Sequence, residues 1–518
     1  MPRILSILTL LLLSTTAIAK EAATPLDSFL GQVRRKTLSN GLTVITRETP
    51  GTGVVAVNTW VKAGYFHEPD EVAGMAHLFE HMLFKSTKNF PRVEQIAEEI
   101  AAVGGATNAG TIYDTTNYYF VLPKEGFRRA LDLQVDSIAN PTFDPAELKK
   151  EAEVVIEESN RKRDNPPAMA TELMFATAFE QHRMKRWRIG SNDVLRNIKR
   201  DDLHAFYETL YRPENMVLVV VGDVPHDEVM RGVEATFAKI PRGKLAKKGG
   251  PAEPAQTAFR YGQSSADLRQ GYTAIGWHTP GVNHADNAAI ETLSLILAEG
   301  RSSRFFRNVI SPEAASTASA NNFTFEDVGL FGVQASFDEK NRAEVDRRLI
   351  REIERIKASG PTAAELQLAR NLAESQTILG LQDVLGQANA LGQAETRGGY
   401  RTLGSDLAEL QAVTAQDVMR VARKYLTVEN MTLYHYRAKG APEQTREQAL
   451  AAVQAAMANA PATTTAAAAE ITIDAKPVRA ARGMRAPEVS KLSNGATLIV
   501  EERSGAPVVT ASVFFRGG

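Results

Sequence analysis

The 518-residue chain contains no cysteine. Disulfides, thiolate metal ligands, a cysteine nucleophile and lipid attachment at cysteine are therefore excluded, and any metal must be held by His, Asp or Glu. Histidine is scarce as well, nine in all, so two of them close together carry information. A surplus of either charge is also missing: 60 Lys and Arg against 61 Asp and Glu leave a formal net charge of −1. That balance provides no electrostatic footprint for nucleic acid or an anionic membrane. The main basic cluster, RGKLAKKGG at 242–250, is bounded by glycine and proline and reads as a solvated linker. Long apolar runs are lacking too. The longest, ILSILTLLLL at 4–13, is half of the roughly 20 residues a spanning helix needs. With Arg3 before it and Ala17-Ile18-Ala19 after it, residues 1–19 read as a secretory signal, an uncleaved anchor being the alternative reading. The mature protein is then expected to be exported, most simply to a periplasm, with no stable membrane span.

What is present is self-similarity. TLSNGLTVITRETPGTGVVAVNTWVKAG at 37–64 returns without a gap as KLSNGATLIVEERSGAPVVTASVFFRGG at 491–518. Both copies read as a turn feeding alternating, β-branched strands. A weaker repeat lies inside the first unit. DDLHAFYETLYRPENMVLVVVGDV at 201–224 resembles QDVMRVARKYLTVENMTLYHYRA at 416–438, so that Glu214, Asn215 and Met216 fall on Glu429, Asn430 and Met431. Each is an amphipathic helix, a turn and an apolar strand. The expected fold class is α+β, duplicated halves of mixed sheet covered by helices. The expected divisions are a catalytic half at 27–240, a linker at 241–257, a second half without catalytic residues at 258–438, an alanine- and proline-rich linker at 439–487, and the opening of a second repeat unit at 488–518. Because that copy stops at Gly518, before the counterpart of the motif below, the sequence is expected to be a fragment of a longer two-unit protein.

That motif is GMAHLFEHMLFKST at 74–87. In a helical stretch from Glu71 to Phe84, His77 and His81 sit four apart, one turn along the same face. Their imidazoles could share one cation at about 2.0–2.1 Å. Glu80 borders that face and could reach a water on the metal, as a general base must. The order H-x-x-E-H is the inverzincin signature. The bland alternative is a pair of half-exposed histidines flanking a solvated glutamate.

A third ligand is sought in ELKKEAEVVIEESNRKRDNP at 147–166, a strongly helical run. Glu151 and Glu158 lie two turns apart on one face, whereas Glu157 points about 100° away from Glu158. A carboxylate from a second helix would complete a three-ligand site with an open fourth position, but spacing alone does not choose among these glutamates.

The segments at 63–91, 104–123, 151–166, 211–224 and 296–306 together resemble the pitrilysin/insulinase family of zinc metallopeptidases, to which mitochondrial processing peptidase belongs. The resemblance covers nearly the whole mature chain. It implies that His77, His81 and Glu158, the last 77 residues beyond the second histidine, bind one Zn2+, that Glu80 is the base, and that Glu151 supports the site from behind. It implies that a peptide or unfolded segment adds as a strand at Asn108, Ala109 and Gly110. It implies a second family unit, in the same chain or a partner subunit, contributing an Arg/Tyr pair that residues 488–518 do not reach. The segment GRSSRFFRNVI at 300–310 lacks ligand spacing and reads as structural. The function implied is an exported zinc endopeptidase. The competing reading is a family member without activity, serving as scaffold or partner-binding subunit, but such relatives lose ligands and here all four positions of the box are filled.

Overall fold

The computed structural model describes residues 25–243, 245, 250–458, 487–501 and 509–515. The segment at 1–19 expected to direct export lies outside the described residues, as do residues 459–486 of the 439–487 linker.

Two sheets organise the body. The first contains β1 (Val33–Thr37), β2 (Thr43–Glu48), β3 (Val54–Val61), β4 (Ala106–Thr111), β5 (Thr116–Pro123) and β6 (Met216–Gly222), in the order β1-β2-β6-β3-β5-β4. The second contains β7 (Arg260–Ala266), β8 (Gly271–Thr279), β9 (Thr317–Thr324), β10 (Gly329–Phe337) and β11 (Met431–Ala438), in the order β7-β11-β8-β10-β9. Strand for strand, β2 to β6 correspond to β7 to β11. The directions agree as well: β2 with β6 and β7 with β11 are parallel, and the remaining pairs are antiparallel. The fold is thus a duplicated α+β unit, as the internal repeat implied. The repeated asparagine shows why the pattern recurs. Asn215 donates to Lys62 O and Leu210 O, and Asn430 donates to His278 O and Tyr425 O. Each amide ties the end of a helix to the neighbouring strand just before the central strand begins. That strand, MVLVVVG in β6, is buried at every position, as a strand covered on both faces must be.

The halves exchange helices. The helix Pro166–Ala178 leaves the first half and packs on β8 and β11, while the corresponding helix Val384–Arg397 leaves the second and packs on β3 and β6. Both starts are capped in the same way, by Asn165 accepting from Ala168 N and by Asp383 accepting from Gly386 N. Ala388 and Leu391 join Ile45, Ala56, Val219 and Val221 in one core, and Met174 joins Leu330 in another. Polar ties cross with them: Asn58 donates to Asn389 at 2.8 Å and Arg47 to Gln387 at 2.7 Å.

The second copy of the opening repeat forms only a hairpin, β12 (Glu488–Lys491) with β13 (Thr497–Val500), exposed throughout. The strand expected to follow it is not formed: 509–515 carries no strand. In the first copy that strand, β3, lies between β6 and β5, and among the described residues nothing pairs with its counterpart.

Candidate functional site

The motif helix runs Met75–Leu83 and starts four residues later than the sequence pattern suggests. Gly74 precedes it in a left-handed conformation (φ 97°), and a Cβ there would lie 2.1 Å from Ile189 O, so Glu71 falls in a separate turn. The first helical amides are capped from a distance: Glu68 accepts from Gly74 N and Ala76 N, both at 2.8 Å. Burial pushes the Glu68 carboxyl up to about 7 against those two donors and Arg186. Leu78, Phe79, Met82 and Leu83 face the core, where Phe79 meets Tyr211 with ring centroids 4.3 Å apart. The opposite face carries His77, Glu80 and His81.

Across that face runs the helix Pro145–Arg163, started by Asp144, which accepts from Ala146 N and Glu147 N. It brings Glu158 Oε2 to 3.5 Å from His77 Nε2 and 3.7 Å from His81 Nε2. The donor atoms of His77, His81 and Glu158 all lie within 4.8 Å of one another, the one such grouping among the described residues. Tetrahedral coordination with legs of about 2.1 Å would separate ligand atoms by roughly 3.4 Å, so two imidazoles and a carboxylate fit a zinc ion here with little adjustment. Glu157, by contrast, is exposed.

Glu151, two turns earlier, lies behind His81. Its Oε2 is 3.1 Å from His81 Nδ1 and its Oε1 is 3.0 Å from Lys85 Nζ. Burial opposes ionisation of Glu151, but His81 and Lys85 outweigh it and hold its carboxyl below the usual range. A carboxylate on Nδ1 fixes the tautomer that leaves Nε2 free to ligate. Burial pushes His77 down to about 3, with His81, Arg188 and Lys162 acting in the same direction, so this imidazole is neutral and able to donate its lone pair.

Glu80 is half-buried, and desolvation pushes its carboxyl above the ordinary range against hydrogen bonds from the hydroxyl and backbone N–H of Thr111. Its Oε2 has no hydrogen-bond partner. A buried carboxylate oxygen without a donor, beside two ligand-ready imidazoles, is where a proton would be received.

Thr111 closes β4, an edge strand paired only with β5. Asn108, Ala109 and Gly110 all lie on β4, and Asn108 Oδ1 accepts from Ala109 N at 2.9 Å. That amide and the Thr111 amide are two apart and both bond away from β5, so they mark the free edge that leads to Glu80. Four contributors are absent from the sequence-based expectations: Glu68, Lys85, Thr111 and Arg188. Lys85 is legible in principle, one turn beyond His81; the other three meet the motif only through the tertiary fold.

The family model described as insulinase (peptidase family M16) matches residues 43–191, and the peptidase M16 inactive domain matches 197–373. An uncharacterized zinc protease of Mycobacterium tuberculosis is 32% identical over 404 residues, 76% of this chain and 91% of that protein. A probable mitochondrial-processing peptidase subunit beta of Arabidopsis thaliana is 28% identical over 407 residues, 76% of each. A protease from Helicobacter pylori superposes with a TM-score of 0.73 at 26% identity, covering 78% of this chain and 99% of that one. The periplasmic protease PqqL from Escherichia coli shares the fold at a TM-score of 0.72 and 20% identity, covering 92% of this chain and 56% of that one.

Proposed function

Because the chain belongs to the insulinase (peptidase M16) family, we propose that it is a zinc-dependent endopeptidase of peptides and unfolded segments. The observation that carries the reading is the convergence of His77 Nε2, His81 Nε2 and Glu158 Oε2 beside the unpartnered Glu80 Oε2. His77, His81 and Glu158 hold one Zn2+, which supplies Lewis acidity to a water and to the substrate carbonyl. Glu151 orients His81. The peptide lies along the outer edge of β4, offering its backbone to the edge groups of Asn108, Ala109 and Gly110. Glu80 at the end of that edge takes the proton from water and returns it to the departing amine. Thr111 keeps the Glu80 carboxylate aimed by bonding one side of it.

Export to the periplasm belongs to the same reading, supported by the composition of residues 1–19; among the described residues no helix is long and apolar enough to cross a membrane. A second family unit, in the same chain or a partner, completes the substrate chamber, a reading supported by the repeat at 491–518 and by the two-part PqqL. The test is zinc content together with cleavage of unstructured peptides. One zinc per zinc-binding unit and cleavage abolished by Glu80→Gln with the metal retained would establish the reading; a fully zinc-loaded chain inert toward every peptide would make it a binding subunit instead.

A further inference from the structure

The wall beside His77 carries more positive charge than its carboxylate balances. Glu172, buried on the helix Pro166–Ala178, meets Lys162 and Arg188 through the same oxygen: Lys162 Nζ is in short contact with Oε1, and Arg188 Nε is 3.2 Å from it. Two cations on one carboxylate leave one positive charge over. Arg188 is also the better placed of the two to meet a ligand. Its guanidinium lies over the Tyr113 ring, 5.5 Å from the centroid, and bonds the Tyr113 hydroxyl, while a third of its side chain stays open to solvent. Lys162 is packed over Trp187, whose Nε1 donates to Ser159 at 2.7 Å on the helix that carries Glu158. A guanidinium has five donors in a planar fork; with Nε on Glu172 and one bond to Tyr113, it retains the bidentate geometry that suits a carboxylate.

The position matters as much as the charge. Tyr113 follows Thr111 by two residues, so Arg188 stands where the β4 edge ends and Glu80 begins. Tyr65 bridges the remaining gap, with ring centroids 6.0 Å from Tyr113 and 6.5 Å from His77. A strand added to β4 therefore passes from the reactive centre onto this cationic wall.

We infer that Arg188, braced by Glu172 and Tyr113 and backed by Lys162, is a specificity residue that receives a peptide carboxylate close to the scissile bond. The carboxylate belongs to an Asp or Glu side chain or to the C-terminus of the peptide. The inference rests on the proposed peptide groove, but its test reads binding and not turnover.

The full chain carrying Glu80→Gln is loaded with zinc and titrated with labelled unstructured peptides. One set scans Asp, and separately Asn, through a neutral amidated sequence; the other compares free with amidated C-termini. A charged hydrogen bond contributes about 1.5–3 kcal/mol, so a carboxylate on Arg188 should tighten binding about tenfold to a hundredfold over its neutral counterpart. That ratio should fall to about one in Arg188→Gln, survive only in part in Arg188→Lys, which keeps the charge but loses the fork, shrink with salt and persist after zinc is chelated. A gain from Asp alone identifies a side-chain subsite; a gain from the free terminus alone identifies a terminal one. The inference fails if no carboxylate gains over its isostere, if the gain persists in Arg188→Gln, or if it vanishes with the zinc while surviving Arg188→Gln. Hydrolysis by the unsubstituted enzyme is measured separately, so loss of the peptidase reading and loss of the subsite are distinct results.

Discussion

The two halves share a strand order and a helix plan, yet among the described residues only one of them gathers a cluster able to hold a metal. In the first, His77, Glu80 and His81 occupy the helix after β3. In the second, the helix after β8 is Asn287–Ala298, and an offset of 211 residues, set by the edge-strand residues Thr111 and Asn322, places Ala288, Glu291 and Thr292 there. The glutamate remains and keeps its neighbour: Glu80 is bonded by Thr111, and Glu291 by Asn322, again 211 residues on. Burial raises both carboxyls. The difference is what lies opposite. Across from the first helix stand Glu158 and Glu151; at the matching places on the helix Ala363–Leu379, counted from the caps Asp144 and Thr362, stand Gln376 and Ala369. A half-buried glutamate held by an edge strand is therefore part of the frame, and the two imidazoles and the second carboxylate are what the first half adds to it as a cluster able to hold a metal.

The largest effect should separate the two glutamates. Glu80→Gln is expected to lower kcat on an unstructured peptide by about a hundredfold to ten-thousandfold, the range of a lost general base, with zinc retained. Glu291→Gln should leave kcat/KM within about twofold. Equal losses in steady-state assays would mean that both act on the fold and neither on the chemistry. Next in size is Glu151→Gln, which leaves His81 without its carboxylate partner. Zinc affinity, measured by competition with a chelator, should fall about 10–100-fold, and unchanged affinity would remove Glu151 from the site.

Much of this contrast is legible in the amino-acid sequence. The repeat of Asn215 in Asn430 foretells the duplicated sheet because one amide must close the same turn twice. The two-turn spacing of Glu151 and Glu158 puts both on one face of their helix, but only the family resemblance points that face at the motif helix and places Asn108 on an open edge. The start of the motif helix is not legible. Helix propensity at Glu71 and Val72 favours an early start, but Gly74, pinned against Ile189, and the remote cap Glu68 decide it through contacts more than a hundred residues apart or set by loop geometry. The exchange of helices is hidden for a related reason: Pro166–Ala178 and Val384–Arg397 are both apolar over much of their surface, and periodicity does not say which sheet they cover.

That exchange can be broken at Gly392. A Cβ there would lie 2.1 Å from Trp60 Nε1, so Gly392→Val forces the helix Val384–Arg397 away from the first sheet. Overpacking of this kind costs about 1–3 kcal/mol. If the halves stabilise each other, calorimetry should show one transition, lowered as a whole; Gly31→Ala, where nothing lies within 4 Å, should barely move it. Two transitions, with only one displaced, would show that each half folds on its own core.

The subtlest contrast lies at the starts of the two equivalent helices, each attended by a buried carboxylate under opposite electrostatics. Burial raises Glu68 to about 7. Burial also acts to raise Asp286, but Lys424, Tyr425 and Arg420 bond it and hold it well below the usual range. The signs follow from linkage. A carboxyl raised on folding favours the protonated state, so its contribution is complete below about 4.3 and is lost as pH rises through about 7. A carboxyl lowered on folding contributes above about 3.9 and loses that contribution only as pH falls through its folded value. Glu68→Gln keeps one acceptor and cannot ionise, so its deficit in Tm against the unsubstituted protein should shrink between pH 5 and pH 8. The deficit of Asp286→Asn should stay constant over the same range, because three donors face an oxygen pair that is already ionised throughout. Parallel curves for the two variants would mean that Glu68 is ionised at neutral pH, stabilised by its two amides and Arg186, and that both helices start on a charge.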